Sequence, residues 1–237
     1  MLKTKAIIIS QKAINEHDCL LSFYTLEFGR ASFLARGLKK PNSKLAAHLD
    51  LLNLVDLMII KGRERDYVGS AIAENCFLGI KKDYNKICIA GEAINFLNKL
   101  SFSNQTDYEV FLLLRSFLFF LNESDFTAEY LRLSLNSFKL KLLNLFGYNF
   151  DFSTCFICQK RKASALNFFR KDLYCLHCLK NVSPDDYRHN FIKLSTETLN
   201  LKSDLENLSW DDLASCQFTK RRQQELENLI DIITKII

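Results

Sequence analysis

Two Cys-x-x-Cys pairs, Cys155-Phe-Ile-Cys158 and Cys175-Leu-His-Cys178, lie sixteen residues apart in this chain. One tight backbone corner presents two sulfurs, two corners complete a tetrahedron, and the spacing is that of a four-cysteine zinc site. With four thiolates bound, no coordination position stays open for water. The expected ion, one structural Zn2+, therefore holds shape and does no chemistry. A redox dithiol is the weaker reading, because a thioredoxin-type pair opens a helix within a βαβ unit and no such pattern surrounds these cysteines. His177, inside the second knuckle, reads as a solvated turn residue, and His189 likewise. Cys19, Cys76, Cys88 and Cys216 stand among apolar neighbours and read as small buried hydrophobes.

The second chemistry is electrostatic. The net charge of +5 is moderate, but between Arg30 and Arg65 eight basic residues face only Asp50, Asp56 and Glu64. Arg30, Arg36, Lys39, Lys40, Lys44, Arg63 and Arg65 are the candidates to neutralise phosphates. Tyr24, Phe33 and Tyr67 could stack on bases, although aromatic residues of small barrels more often belong to the core. A further group, Lys160, Arg161, Lys162, Arg170, Lys171 and Lys180, surrounds the cysteines with only Asp172 between them. The loop linking the two knuckles interleaves these cations with Phe168, Phe169 and Tyr174. It reads equally well as a phosphate-binding surface and as a small core with solvated lysines.

Enzymatic signatures are missing. The chain contains no GxxxxGK[ST], GxGxxG, GxSxG or HExxH, so P-loop hydrolysis, serine-type and zincin chemistry lack their residues. The acidic pairs Asp185-Asp186 and Asp211-Asp212 read as capping or solubilising groups, since adjacent side chains diverge on a helix or strand.

Elements must position these groups. KTKAIIIS, CLLSFYTL, RASFLARGL, LLNLVDLMII and RDYVGSAIAE are rich in Ile, Val, Phe and Tyr and separated by turn residues, which predicts five strands. Gly29 supplies a positive φ for the hairpin between the second and third. Pro41 ends the third run, Ser43 can cap, and Leu45, Ala46 and Leu49 have helical spacing. Five strands with one helix between the third and fourth is the order of an OB barrel. From Asp83 the period turns helical, with Ile87, Gly91, Ile94, Leu97 and Leu100 as one stripe. Tyr108 to Leu121 is apolar nearly all round, and Ala128 to Phe146 is closed by Gly147 at the helix C′ position. Helices over Thr196 to Leu205 and from Thr219 onward follow the cysteine segment.

The fold class is thus α+β: an OB-fold barrel over 1–80, then a helical domain over 81–237 holding a zinc module at about 150–182. The Ala6–Ile9 run is too short for a secretory h-region, and the Val110–Leu121 stretch falls short of the roughly 20 residues that cross a bilayer. A soluble, cytoplasmic protein is expected, in which eight cysteines stay reduced.

Two stretches carry a family likeness. KAIIIS...HDCLLSFYTLEFGRASFLARGLKKPNSKLAAHL resembles the N-terminal barrel of the bacterial RecO recombination mediators, most specifically at Gly29, Ala35-Arg36-Gly37 and Ser43. LFGYNFDFSTCFIC resembles the helix end, Gly147-Tyr148 turn and first knuckle of zinc-bearing RecO proteins. The resemblance covers about residues 3 to 185, and the tail after 190 shows no family pattern. It implies a non-enzymatic, nucleoid-associated protein that binds single- and double-stranded DNA and anneals complementary strands. It also implies partnership with RecR and single-strand-binding protein in loading the RecA recombinase. Two rival functions remain: an adaptor whose basic face takes acidic protein tails, and a zinc-dependent nuclease.

Overall fold

The computed structural model describes residues 1–102, 106–148, 150–181 and 191–236. They form two compact units, residues 1–126 and 127–237.

The first unit begins with β1 (Leu2–Ala13), β2 (Cys19–Thr25), β3 (Gly29–Ala35), β4 (Leu54–Ile60) and β5 (Tyr67–Asn75), closed into a barrel in the order β1-β2-β3-β5-β4. Alternation writes the inside of the barrel: in β3, Ala31, Phe33 and Ala35 point inward while Ser32 faces out. β1 is long enough to serve two partners. Residues 2–7 pair with β4 and 6–13 with β2, and a register shift between Ile8 and Ser10 lets the strand bend from one to the other. Gly29 has φ of +61°, as the β2–β3 hairpin requires, and Thr25 Oγ1 donates to its carbonyl at 2.9 Å.

The segment between β3 and β4 differs from expectation. Residues 36–48 form successive turns instead of a helix; the one α-type bond there runs from the Leu49 N–H to the Leu45 carbonyl, 2.9 Å. A run this short gains too few bonds to outweigh helix nucleation, and its Leu38 and Leu49 are recruited into the barrel core instead. The segment acts as a plug.

α1 (Leu78–Lys81), α2 (Tyr84–Leu100) and α3 (Tyr108–Glu123) complete this unit. Asp83 and Asp107 cap α2 and α3 by accepting backbone N–H bonds. The buried stripe of α2 is phased differently from the expected one. Ala90, Ala93, Ile94, Leu97 and Leu100 are buried, whereas Ile87 and Cys88 are exposed. Lys86 takes the inward place because its ammonium donates to the carbonyls of Asn122 and Ser124 at the end of α3, where the helix dipole welcomes a cation. Of the four isolated cysteines, Cys19 and Cys216 are buried, Cys76 is half-buried and Cys88 is exposed.

The second unit opens with α4 (Ala128–Leu145). Its end is a Schellman turn: the Tyr148 N–H reaches the Leu143 carbonyl at 2.8 Å, the Gly147 N–H reaches that of Asn144 at 3.0 Å, and Gly147 has φ of +79°. Next come β6 (Ala165–Asn167), β7 (Asp172–Tyr174), the single turn α5 (Leu176–Leu179) and β8 (Phe191–Lys193), forming a three-stranded sheet in the order β7-β6-β8. Then follow α6 (Thr196–Asn207), a 3-10 turn at Asp211–Ser215 and α7 (Lys220–Ile236). α4 is tied to α6 through buried Ser137, whose hydroxyl donates to the Leu205 carbonyl at 2.6 Å. Ser209 and Asp212 bond reciprocally, the Ser209 hydroxyl accepting the Asp212 N–H at 3.3 Å and donating to the Asp212 carboxylate at 2.6 Å. His189 and Asp185-Asp186 lie outside the described residues. Among the described residues no helix is long and apolar enough to cross a membrane.

Candidate metal centre and nucleic-acid interface

The cysteine knuckles are built by backbone bonds. The Cys155 N–H donates to the Arg161 carbonyl at 2.8 Å and the Gln159 N–H to that of Cys155 at 2.9 Å, with Gln159 at φ +52°, which closes the first corner. The Phe156 N–H bonds the Leu173 carbonyl at 2.7 Å and so lays this corner on β7. Cys175 begins α5, and its sulfur accepts the Cys178 N–H at 3.4 Å. The four sulfurs of Cys155, Cys158, Cys175 and Cys178 lie within 4.8 Å of one another, with Cys158 to Cys175 at 4.0 Å. A tetrahedron with bonds of about 2.3 Å, as zinc makes to sulfur, places its corners about 3.8 Å apart. The donor set therefore fits a metal ion.

The thiols respond to this crowding. Burial pushes Cys155 up, but backbone N–H groups aimed at its sulfur more than offset that, and it lies at about 6. Cys178 is pushed up to about 12, by burial first and then by the neighbouring sulfurs. Four thiolates so close repel one another unless a cation sits among them, and a coordinated ion is the group that lets all four ionise. His177 is exposed, in accord with a solvated turn residue.

The aromatic residues of the module divide. Tyr174 is buried against Phe191, ring centroids 5.2 Å apart and edge to face, whereas Phe169 stands exposed at the β6–β7 turn. The packing reading holds for the first and fails for the second.

In the barrel, the turn after β3 joins two loops. The Lys39 N–H donates to the His17 carbonyl at 3.0 Å, and the Gly37 N–H to the Asp18 carboxylate at 2.7 Å, which ties it to the β1–β2 loop. The Leu34 N–H meets the Asp66 carbonyl at 3.0 Å, and the Arg36 guanidinium lies 4.4 Å over the Tyr67 ring, which ties it to the β4–β5 hairpin carrying Arg63 and Arg65. Arg36, Lys39, Lys40, Arg63 and Arg65 are all exposed there, and among the described residues none is in an ion pair. Asp18 is one acid of this region, with Glu64 and Asp66 on the hairpin. The Gly37 N–H and then the Asn15 amide hold the Asp18 carboxyl below the usual range, with His17 and Lys40 adding to the effect.

Lys44 is exposed in the plug, farther along the chain than the rim turn. Arg30 begins β3, about 20 Å of extended chain from Arg36, and its guanidinium donates to the Asn98 carbonyl at 3.0 Å. Tyr24 and Phe33 are core residues, 1% and 7% exposed, and burial pushes the Tyr24 hydroxyl up; only Tyr67 of the three aromatic candidates reaches the surface. Sequence reading missed Asp18 as the latch between the two loops. Its signal was the turn-prone Asn15-Glu16-His17-Asp18, where Asn15 Oδ1 accepts the N–H groups of His17 and Asp18 at 2.9 and 2.7 Å.

Comparison with known proteins agrees with this architecture. Residues 1–76 match the family model described as recombination protein O N terminal, and residues 81–235 match the one described as recombination protein O C terminal. Three relatives are each named DNA repair protein RecO. That of Acetivibrio thermocellus is 25% identical, covering 76% of this chain and 71% of the relative. That of Thermoanaerobacter sp. is 25% identical (88% and 83%), and that of Clostridium kluyveri 23% (98% and 87%). A closed five-stranded barrel, a helical part and a four-cysteine cluster, matched by both terminal family models over almost the whole length, make this chain a member of the RecO family.

Proposed function

We propose that the protein is a non-enzymatic mediator of DNA repair, in which the barrel, residues 1–80, grips the sugar-phosphate chain of single- and double-stranded DNA. The single observation that carries this reading is the gathering of Arg36, Lys39, Lys40, Arg63 and Arg65 where the β3 turn meets the β1–β2 loop and the β4–β5 hairpin. These loops are the ones with which OB barrels hold oligonucleotides. Their charges screen the repulsion between two phosphate chains, which is what annealing of complementary strands requires. Arg36, spread over Tyr67, offers a flat cation on which a base can stack. Lys44 and Arg30 are further phosphate contacts on this reading, Arg30 more remote and partly engaged by Asn98.

The cysteine cluster takes one Zn2+, held by Cys155, Cys158, Cys175 and Cys178. When bound, the ion supplies a structural crosslink with no open position for water, so the module in the part after residue 80 is a scaffold. Membership of the family supports the further steps: action in the cytoplasm at the nucleoid, with RecR and single-strand-binding protein, in loading the RecA recombinase onto coated single strands.

The test is a DNA titration across salt concentrations with the Lys39→Ala/Lys40→Ala variant. If each lysine meets one phosphate, the slope of log K against log salt should flatten by about 1.4 on a single strand and about 1.8 on duplex. An unchanged slope overturns the assignment. An acidic peptide that binds the same rim and is not displaced by oligonucleotide would favour an adaptor instead.

A further inference from the structure

The basic residues around the cysteines and the exposed rings of that module are not used by the barrel reading. From Cys155 to Asn181, six basic residues against one acid give +5. Four thiolates around a divalent ion carry −2, so the segment would keep +3. The ion's own shell accounts for only part of the surrounding charge. Lys160, Arg161, Lys162, Lys171 and Lys180 are exposed, and among the described residues none forms an ion pair.

Large apolar groups stand among these cations. Phe169 is 76% exposed and Phe156 61%, with Ile157 and Leu176 also mostly in solvent. Phe156 and Ile157 are the two residues between the cysteines of the first knuckle, and Leu176 follows the first cysteine of the second. Single exposed hydrophobes need no explanation, but several within one small basic module do.

The tip is firmly made. Buried Asn167 accepts the N–H groups of Phe169 and Arg170, both at 3.0 Å, and Lys171 holds φ of +60°, a conformation that costs a side-chain-bearing residue of order 1 kcal/mol. This turn keeps Phe169 out of the small core that holds Tyr174 and Leu179. Phe156, bonded to Leu173, lies about two residues along β7 from Lys171, so knuckle and tip share one edge of the module. On the second knuckle, Leu176 and His177 line a cleft of about 690 Å3 together with Arg161, Lys162 and the start of α6. The helix start there is already occupied: Glu225 accepts from Ser195 and Thr198 at 3.1 and 2.7 Å, so the cleft is no simple anion pocket.

Cations interleaved with outward-facing rings suit one occupant, a polyanion that also presents π-faces. We propose that the cysteine module is a second, separate binding surface for single-stranded nucleic acid, with Phe156 and Phe169 as stacking platforms and Lys160, Lys162 and Lys171 as phosphate contacts. A duplex keeps its bases stacked inside and offers nothing to those rings. The surface therefore favours single strands over double strands.

The experiment uses the full-length, metal-loaded protein carrying Phe156→Ala/Phe169→Ala, with ion content and melting temperature checked against the parent. Affinity for a labelled oligo-dT strand should fall about tenfold or more, and affinity for a blunt duplex should change less than twofold. Restoring a ring, as Phe156→Ala/Phe169→Trp, should recover most of the loss. Unchanged single-strand affinity overturns the proposal, as does equal loss on strand and duplex. So does a double variant that loses binding of an acidic phenylalanine-containing peptide but keeps the oligonucleotide. If the double variant loses its ion, photo-crosslinking of iododeoxyuridine-substituted strands to the parent protein decides: adducts in the peptides bearing Phe156 or Phe169 support the surface, and adducts confined to the barrel overturn it. The rim variant Lys39→Ala/Lys40→Ala affects strand and duplex alike, so failure of either site is read separately from the other.

Discussion

The barrel is held from within by Phe23 and Phe33, 5.7 Å apart, with Leu21, Leu57, Ile59 and Val68 around them and Leu38 and Leu49 closing one end. The cysteine module has nothing comparable. Apart from its sulfurs it gathers Ala165, Tyr174 and Leu179 into one small cluster, with Phe191 against it. Both are small β-structures with an exposed basic surface, yet one is stabilised by apolar area removed from water and the other brings together four sulfurs that could hold a metal ion. Segments of this size bury too little apolar surface on their own, and a crosslink through a bound ion would take the place of a core. Perturbation should then affect the two regions independently.

The largest effect is expected from chelation. Structural zinc in finger peptides is worth about 10–16 kcal/mol, so stripping the ion should abolish amide protection in β6, β7 and both knuckles while leaving the barrel protected in hydrogen exchange. Equal protection of the module with and without metal would break the comparison. Next, Phe23→Ala removes a fully buried ring and should destabilise the first unit by about 3–5 kcal/mol in urea, with ion content unchanged. Gly147→Ala should cost about 1–2 kcal/mol in the second unit through left-handed strain alone, because an added Cβ there meets nothing within 4 Å. A larger loss would mean that this helix end also positions the first knuckle.

The smallest effect concerns pH. Asp18 is held below its ordinary carboxylate range by the Gly37 N–H, so its contribution to stability is fully present above the unfolded value near 3.8 and is lost as pH falls through the lower folded value. Following the Gly37 amide by NMR should show the latch between the two loops releasing only in that acid window. Release at higher pH would remove Asp18 as its cause.

Much of this was legible in the chain itself, for a physical reason in each case. Strand-forming runs bounded by turn residues are a local signal, so β1 to β5 could be read directly, whereas the burial of Tyr24 and Phe33 could not. The Schellman glycine at 147 and the cysteine spacing are local as well, because each is set by a few consecutive backbone torsions. The errors arose where a residue's neighbours come from far along the chain. Ile87 looked like core, but Lys86 won the inward position by meeting carbonyls thirty-six and thirty-eight residues away. Cys88 followed Ile87 outward. The plug at 36–48 had helical spacing, but the open end of a barrel wanted two leucines more than a helix wanted its bonds.

Composition and spacing by themselves determined which patterns were present: four sulfurs at knuckle spacing and a cationic run beginning at Arg30, with no P-loop, GxSxG or HExxH signature. Only the tertiary structure decided which cations share a surface. Closing the barrel brings the ends of β3 and β5 together, which sets Arg36 on Tyr67 and beside the hairpin of Arg63 and Arg65, while Arg30 is left at the other end of its strand against Asn98. Charge is a property of residues, but a binding surface is a property of distances, and distances between residues far apart in sequence are set by packing.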